Sequence, residues 1–316
     1  MPLARRLRSD IVRGVPVRLN DISRLGAVAR RWMAGRLHAD RCVRLRVADP
    51  GRRAILILPL EEYVAGTVAA ETSRAWKNEA LKAQAVVSRT YALNRLAHPR
   101  ALRYDMVGSV LDQVFRPGLP VSAAVSAAVD ATRAEYLAGA APRHRSGAPI
   151  NALFHASCGG ATDAAATVWG QDAGERGVRC PSCVRRPFPW TATLEMAEIL
   201  TALGLPSVPP ESVRLHAIAR TSSARLRVVR IETSAQALTL SAEAFRSLLG
   251  YHRVRSARFE WSRETDGRVR FDGVGAGHGV GLCQVGARGL SADGRSYAEI
   301  LAHYYPGSHL VGLPKR

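Results

Sequence analysis

Lysine is nearly missing from this chain: Lys77, Lys82 and Lys315 are the only three in a Lys+Arg total of 45. Arginine carries the positive charge, and a lysine that persists suggests a need for a compact ammonium rather than a planar guanidinium. No apolar run approaches the ~20 residues of a membrane span, so no transmembrane segment is expected. The basic start (Arg5, Arg6, Arg8, Arg13) lacks the apolar stretch and cleavage site of a secretory leader, so no export signal is read. The five cysteines, Cys42, Cys158, Cys180, Cys183 and Cys283, are too few and too unevenly placed for a disulfide framework. Aromatic residues make up only 6%, the arginines are dispersed and no recognised nucleic-acid motif occurs, which weighs against a nucleic-acid partner. The glycines fit neither G-x-G-x-x-G nor a P-loop, which excludes the common nucleotide cradles.

What remains suits a globular protein. The 316 residues are 47% apolar and 22% charged, enough for a real core in one large domain or two modest ones. The formal charge of +19 predicts attraction to polyanions, whether nucleic acid, anionic lipid or an acidic wall polymer, without telling which. Ile22, Leu25, Val28, Ala29, Trp32, Met33 and Leu37 recur at helical spacing, giving a basic amphipathic helix in an N-terminal extension over 1–40. Val43, Leu45 and Val47 alternate with arginines before Asp49-Pro50-Gly51 and the apolar run 54–58, which reads as a hairpin. Pro59 followed by Glu61 and Glu62 marks a helix start. That helix delivers Glu71 at its end, and a longer helix follows from about Asn78 to Leu96.

Several polar residues stand out. Glu71 follows Val68-Ala69-Ala70, so apolar neighbours could hold it protonated near neutral pH; capping the next segment or pairing with Arg74 is the alternative. Lys82 and Arg89 are seven residues apart on one helical stripe, facing either a cleft or solvent. His155 and His278 are each embedded among small residues that allow close approach of a ligand, or are hydrogen-bonded structural histidines. His155-x-x-Cys158 and Cys180-x-x-Cys183 offer one imidazole and three thiols at spacings zinc accepts. Structural zinc, a disulfide from Cys158 to one member of the pair, and free thiols all remain open. Ser296-x-x-Glu299 is a capping box.

Three ordered segments carry a resemblance. The run LPLEEYVAGTVAAETSRAWKNEALKAQAVVSRTYAL over 58–93, then Phe154-His155-Ala156-Ser157-Cys158-Gly159-Gly160 with Trp169-Gly170, then 277–287 (GHGVGLCQVGA) closing in Tyr304-Tyr305-Pro306-Gly307, resemble the sporulation stage II protein D family (SpoIID/LytB). The similarity covers most of the chain and assigns 41–313 to one such domain, leaving 314–316 as a tail. It implies an α+β fold: a strand-rich scaffold whose helix pair and Gly-rich C-terminal loop line a cleft.

The resemblance also implies lytic transglycosylase action on the MurNAc–GlcNAc bonds of denuded peptidoglycan strands, in the cell envelope. The alternative is a non-catalytic wall-binding stimulator of an amidase. Glu71 takes the position of the catalytic acid/base. Lys82, Gln84, Arg89 and Gln113 match the family's polar positions and become substrate contacts, joined by His155, Ser157, His278 and Gln284. The chemistry itself requires no cofactor; zinc, if present, is structural. The family's metal-ligand segment is replaced, with Val107, Leu111 and Asp112 at the ligand positions. Val274 and Ala276 replace an arginine and a tryptophan, and Cys283 a serine.

Overall fold

A computed structural model describes residues 43–73, 75–139, 147–169 and 177–312. The predicted N-terminal helix, Cys42, Arg74 and the tail lie outside these residues. The chain divides into two units, residues up to Tyr63 with Ala92–Phe115, and Val64–Tyr91 with residues from Arg116 onward.

The first unit holds the expected hairpin. Strands β1 (Arg44–Asp49) and β2 (Ala54–Pro59) pair antiparallel, with Leu45 opposite Leu58 and Val47 opposite Leu56. Asp49 makes the turn, its Oδ1 accepting from the N–H groups of Gly51 and Arg52. Helix α1 (Leu60–Glu71) starts straight after Pro59, and α2 (Asn78–Ala97) matches the predicted long helix; Val64–Tyr91, the greater part of both, belongs to the second unit. Strand β3 (Met106–Val107) adds parallel to β1. The segment with the replaced metal ligands is knit by its own side chains: Asp112 accepts from Arg100 and from the Val107 N–H. Gln113, expected at the substrate, is buried here, and its Oε1 accepts from the Tyr63 hydroxyl.

The second unit runs α3 (Ala123–Ala131), β4 (Glu135–Gly139), β5 (Phe154–His155), α4 (Ala165–Trp169), α5 (Pro181–Arg185) and β6 (Pro189–Leu194). It continues with α6 (Met196–Ala202), β7 (Arg214–Arg220), β8 (Leu226–Glu232), β9 (Ala237–Ser241) and α7 (Ala242–Leu249). β10 (Phe259–Arg263), β11 (Val269–Val274), β12 (Leu282–Cys283), α8 (Gln284–Ala292), α9 (Tyr297–Tyr304) and β13 (Ser308–Gly312) complete it. The mixed α+β class holds. The strands do not form one scaffold, however; they are dispersed in sheets of two or three strands, β2-β1-β3, β10-β11-β6, β12-β5, β13-β4 and β7-β8-β9.

Two cores stand out among the described residues of this unit. Trp190, Ile199, Val229, Phe245, Phe259 and Phe271 centre one, between the β6–β11 strands and helices α6 and α7. The other joins Ala83, Val86 and Val87 of α2 to Leu137, Leu282, Ala287, Leu301 and Tyr304, with four cysteines in its midst. The capping box is present as read: Ser296 accepts from the Glu299 N–H, and Glu299 reaches back to the Ser296 N–H.

Candidate functional site

Glu71 is the last residue of α1 and is half-buried. The backbone turns out of the helix there, with the Thr72 N–H and hydroxyl both donating to the Val68 carbonyl. The last turn carries no basic side chain. A groove of about 260 Å³ opens next to it, lined by Ala69, Thr72 and Ser73 after the helix, Leu81 of α2, and Leu119, Pro120 and Ser122 ahead of α3.

The partners of Glu71 arrive from far along the chain. Gln284 opens α8 directly after the glycine-rich loop, and its Nε2 lies 3.4 Å from the Glu71 carbonyl oxygen and 3.3 Å from Gln84 Oε1. Gln84, fully buried on α2, donates onward to Ser88 Oγ at 3.2 Å. The glycine loop makes this delivery possible. Gly277 and Gly281 both have positive φ, and a Cβ on either would run into His155 or the Leu153 carbonyl. The loop can therefore press against the segment 153–157 so closely only with glycine at these positions.

The two motif histidines form an edge-on pair with ring centres 5.4 Å apart, and Trp169 packs against His278 at 5.3 Å. His278 Nδ1 accepts from the Val280 N–H, so Nε2 bears the proton and donates to the Phe154 carbonyl at 2.8 Å. Burial pulls its pKa down to about 4, keeping the ring neutral. His155 Nδ1 donates to the Val280 carbonyl at 3.0 Å, while its buried Nε2 has no hydrogen-bond partner among the described residues. Burial holds its pKa well below the ordinary value too.

Other expected contacts are spent elsewhere. Arg89 does not face a cleft: it is fully buried, and its guanidinium donates to the carbonyls of Glu135 and Val129. The stripe it shares with Lys82 turns inward at Arg89 because the ends of α3 and β4 offer carbonyls that a forked cation satisfies. Lys82 pairs with Glu79 at 2.7 Å and lies over the Tyr297 ring, while Glu79 also accepts the Tyr297 N–H. Ser157 is buried, with its Oγ 3.6 Å from Cys183 Sγ.

The thiol set also differs from the reading. Cys158, Cys180 and Cys183 do converge, but the fourth member is Cys283, not His155, whose ring is held by Val280. All four sulfurs are buried and lie within 4.8 Å of one another. The cysteine count already contained Cys283; finding it needed the parallel pairing of β12 with β5, which sets Cys283 opposite His155. A second feature without any motif is a buried ion pair. Arg225 Nη1 meets Asp163 Oδ2 at 3.0 Å, with the Thr221 and Ser223 hydroxyls on the same carboxylate and the Ala161 and Cys158 carbonyls on the guanidinium.

Comparison with known proteins points to the same family. The profile described as "Stage II sporulation protein" matches residues 49–138, and a domain of unknown function (DUF8618) matches 182–281, the region of the aromatic core. A stage II sporulation protein D of Bacillus amyloliquefaciens is 30% identical over 268 residues, covering 79% of this chain and 73% of its own. The chain belongs to the stage II sporulation protein D family. An uncharacterized protein of Brachyspira hyodysenteriae is 34% identical over 257 residues, covering 80% of this chain and 67% of its own. The amidase enhancer of Bacillus subtilis is 24% identical over 303 residues; they span 78% of this chain but only 40% of that protein.

Proposed function

We propose that this protein acts on the bacterial cell wall, as a lytic transglycosylase that cleaves the β-1,4 bond between MurNAc and GlcNAc in denuded glycan strands. The observation that carries the reading is the Gln284 amide bridging the Glu71 backbone carbonyl and Gln84, which joins the first and last motif segments at the helix end that bears this acid, next to a groove. Glu71 stands half-buried as the last residue of α1, next to that groove.

One carboxylic acid suffices for this reaction. Glu71 donates its proton to the glycosidic oxygen as the C1–O bond breaks and positive charge develops at the anomeric carbon. The resulting carboxylate then takes the proton of the MurNAc 6-hydroxyl as that oxygen bonds to C1. The products are a free 4-hydroxyl and a 1,6-anhydro end, no water is consumed, and Glu71 is reprotonated. A hydrolase would need a second carboxylate to activate water. Gln284 and Gln84 hold the helix terminus that bears the acid, so they are positioning residues.

The test is mass spectrometry of denuded strands incubated with wild type and with Glu71→Gln, which keeps the shape and removes the acid. Anhydro-ended products from wild type, with at least a hundredfold loss in the variant, are expected on the scale of general acid catalysis, ~10²–10⁴. Absence of products from both, together with stimulation of an amidase on intact walls, would replace this reading with the wall-binding one that the amidase-enhancer relative suggests. Either reading places the protein in the cell envelope. No helix among the described residues is long and apolar enough to cross a membrane.

A further inference from the structure

Four cysteines from three distant segments meet in one core. Cys158 follows β5, Cys180 and Cys183 flank the start of α5, and Cys283 is the N-cap of α8. All are free thiols, and none is more than 1% exposed. Their sulfurs lie within 4.8 Å of one another, with Cys183 and Cys283 at 3.5 Å. Four sulfurs each ~2.3 Å from one tetrahedral ion stand ~3.8 Å apart, so the observed spacing brackets that of a mononuclear tetrathiolate site. An iron–sulfur cluster must fit its inorganic core between the thiolates and demands wider separation.

The second observation is what surrounds the sulfurs. Cys283 Sγ accepts from the N–H groups of Cys158 and Gly286 at 3.3 and 3.4 Å, and Cys158 Sγ from the Gly160 N–H at 3.4 Å. The Tyr304 hydroxyl lies 3.3 Å from Cys180 Sγ, and the Ser157 hydroxyl 3.6 Å from Cys183 Sγ. Every sulfur thus has an N–H or a hydroxyl group beside it that can serve as a donor. Thiols that merely fill a core as small hydrophobes need no such donors; thiolates on a metal are typically supported by an outer layer of hydrogen bonds. The packing is also built around the cluster: a Cβ at Gly286 would overlap the Tyr304 hydroxyl and crowd Cys180 Sγ.

We infer that Cys158, Cys180, Cys183 and Cys283 bind one zinc ion as a closed, structural tetrathiolate centre. A buried four-thiolate tetrahedron with no open position matches the ligand preference of structural zinc. The centre ties β5, α5 and the start of α8 together, and so fixes Gln284, the residue after Cys283, against Glu71 and Gln84.

The test uses the full chain and does not depend on any glycan activity. Protein produced with zinc supplied should carry one zinc ion per chain, and X-ray absorption at the zinc edge should show four sulfur neighbours at ~2.3 Å. His155→Ala should keep the zinc, whereas Cys183→Ser and Cys283→Ser should retain less than about a tenth of it. Cobalt in place of zinc should give the intense visible bands of a tetrahedral thiolate site. Three sulfurs and one nitrogen at the metal, or loss of zinc in His155→Ala, would overturn the assignment in favour of a Cys3His set. Stoichiometric iron, a mass showing disulfides, or metal-free protein after anaerobic reconstitution with zinc would overturn the centre altogether. The wild-type readouts stand even where a cysteine variant fails to fold.

Discussion

Arg225 and Arg89 show how a chain almost without lysine uses its arginines indoors. Each guanidinium is buried and distributes its donors over carbonyl oxygens, a geometry a single ammonium cannot match. Arg225 is also bound to the buried Asp163. Arg225→Met should therefore cost about 3–5 kcal/mol in urea unfolding, since it strands a buried carboxylate, and adding Asp163→Asn should recover part of that loss. The histidine pair gives a pH-dependent counterpart. His278 is neutral in the folded state with a pKa near 4, against 6.5 when unfolded, so the unfolded chain binds more protons between those values. Stability is then full above about pH 6.5 and falls as the pH drops towards 4; urea midpoints across this window should show it, and His278→Gln should flatten the slope. At this scale the sequence places Glu71 at the end of its helix, where the structure has it, whereas Gln284 came only from the family resemblance. It was uninformative about Arg89, because a seven-residue stripe identifies a helix face without telling whether that face meets a cleft or a core.

Helices were legible because their signals are local. Pro59 with two early acids begins α1, and Ser296 with Glu299 begins α9 where the structure has them. Ser296→Ala should destabilise the protein by about 1 kcal/mol, visible as a lower denaturation midpoint, because the Glu299 N–H loses its acceptor. Glu299 itself is held down to about 2 by the Ser296 N–H and the Arg295 guanidinium. Its contribution is present above 4.5, is lost as the pH falls through about 2, and should vanish in Glu299→Gln. The small sheets were not legible. β5 and β12 are two residues each, and Ser157 with Ala276 and Asp163 with Val280 are isolated bridges, too short for any alternation to show in the sequence. What selects those pairings is the fit of a glycine loop against a distant segment.

On the scale of the whole molecule, charge and core organisation carry different information. The net charge of +19 is a property of composition and, on the proposed role, favours attraction to an anionic wall polymer. Binding to isolated sacculi should weaken markedly between ~0.1 M and ~1 M salt, as the screening length shrinks from ~10 to ~3 Å, and a sedimentation assay would measure it. A second core around Phe245, Phe259 and Phe271 was not visible as a separate body in the sequence, because its strands and short helices alternate without a linker to announce them.

The amide of Gln284 reaches back 213 residues to Glu71, and Cys283 meets Cys158 across 125. Contacts that span so much chain close late, since the loop entropy between them must be paid before they return anything. During synthesis the helix bearing Glu71 emerges early, but its supports belong to a segment translated much later. On the proposed chemistry, a chain still on the ribosome would carry the acid without the groups that position it, and competence for wall cleavage would come only with the last part of the fold.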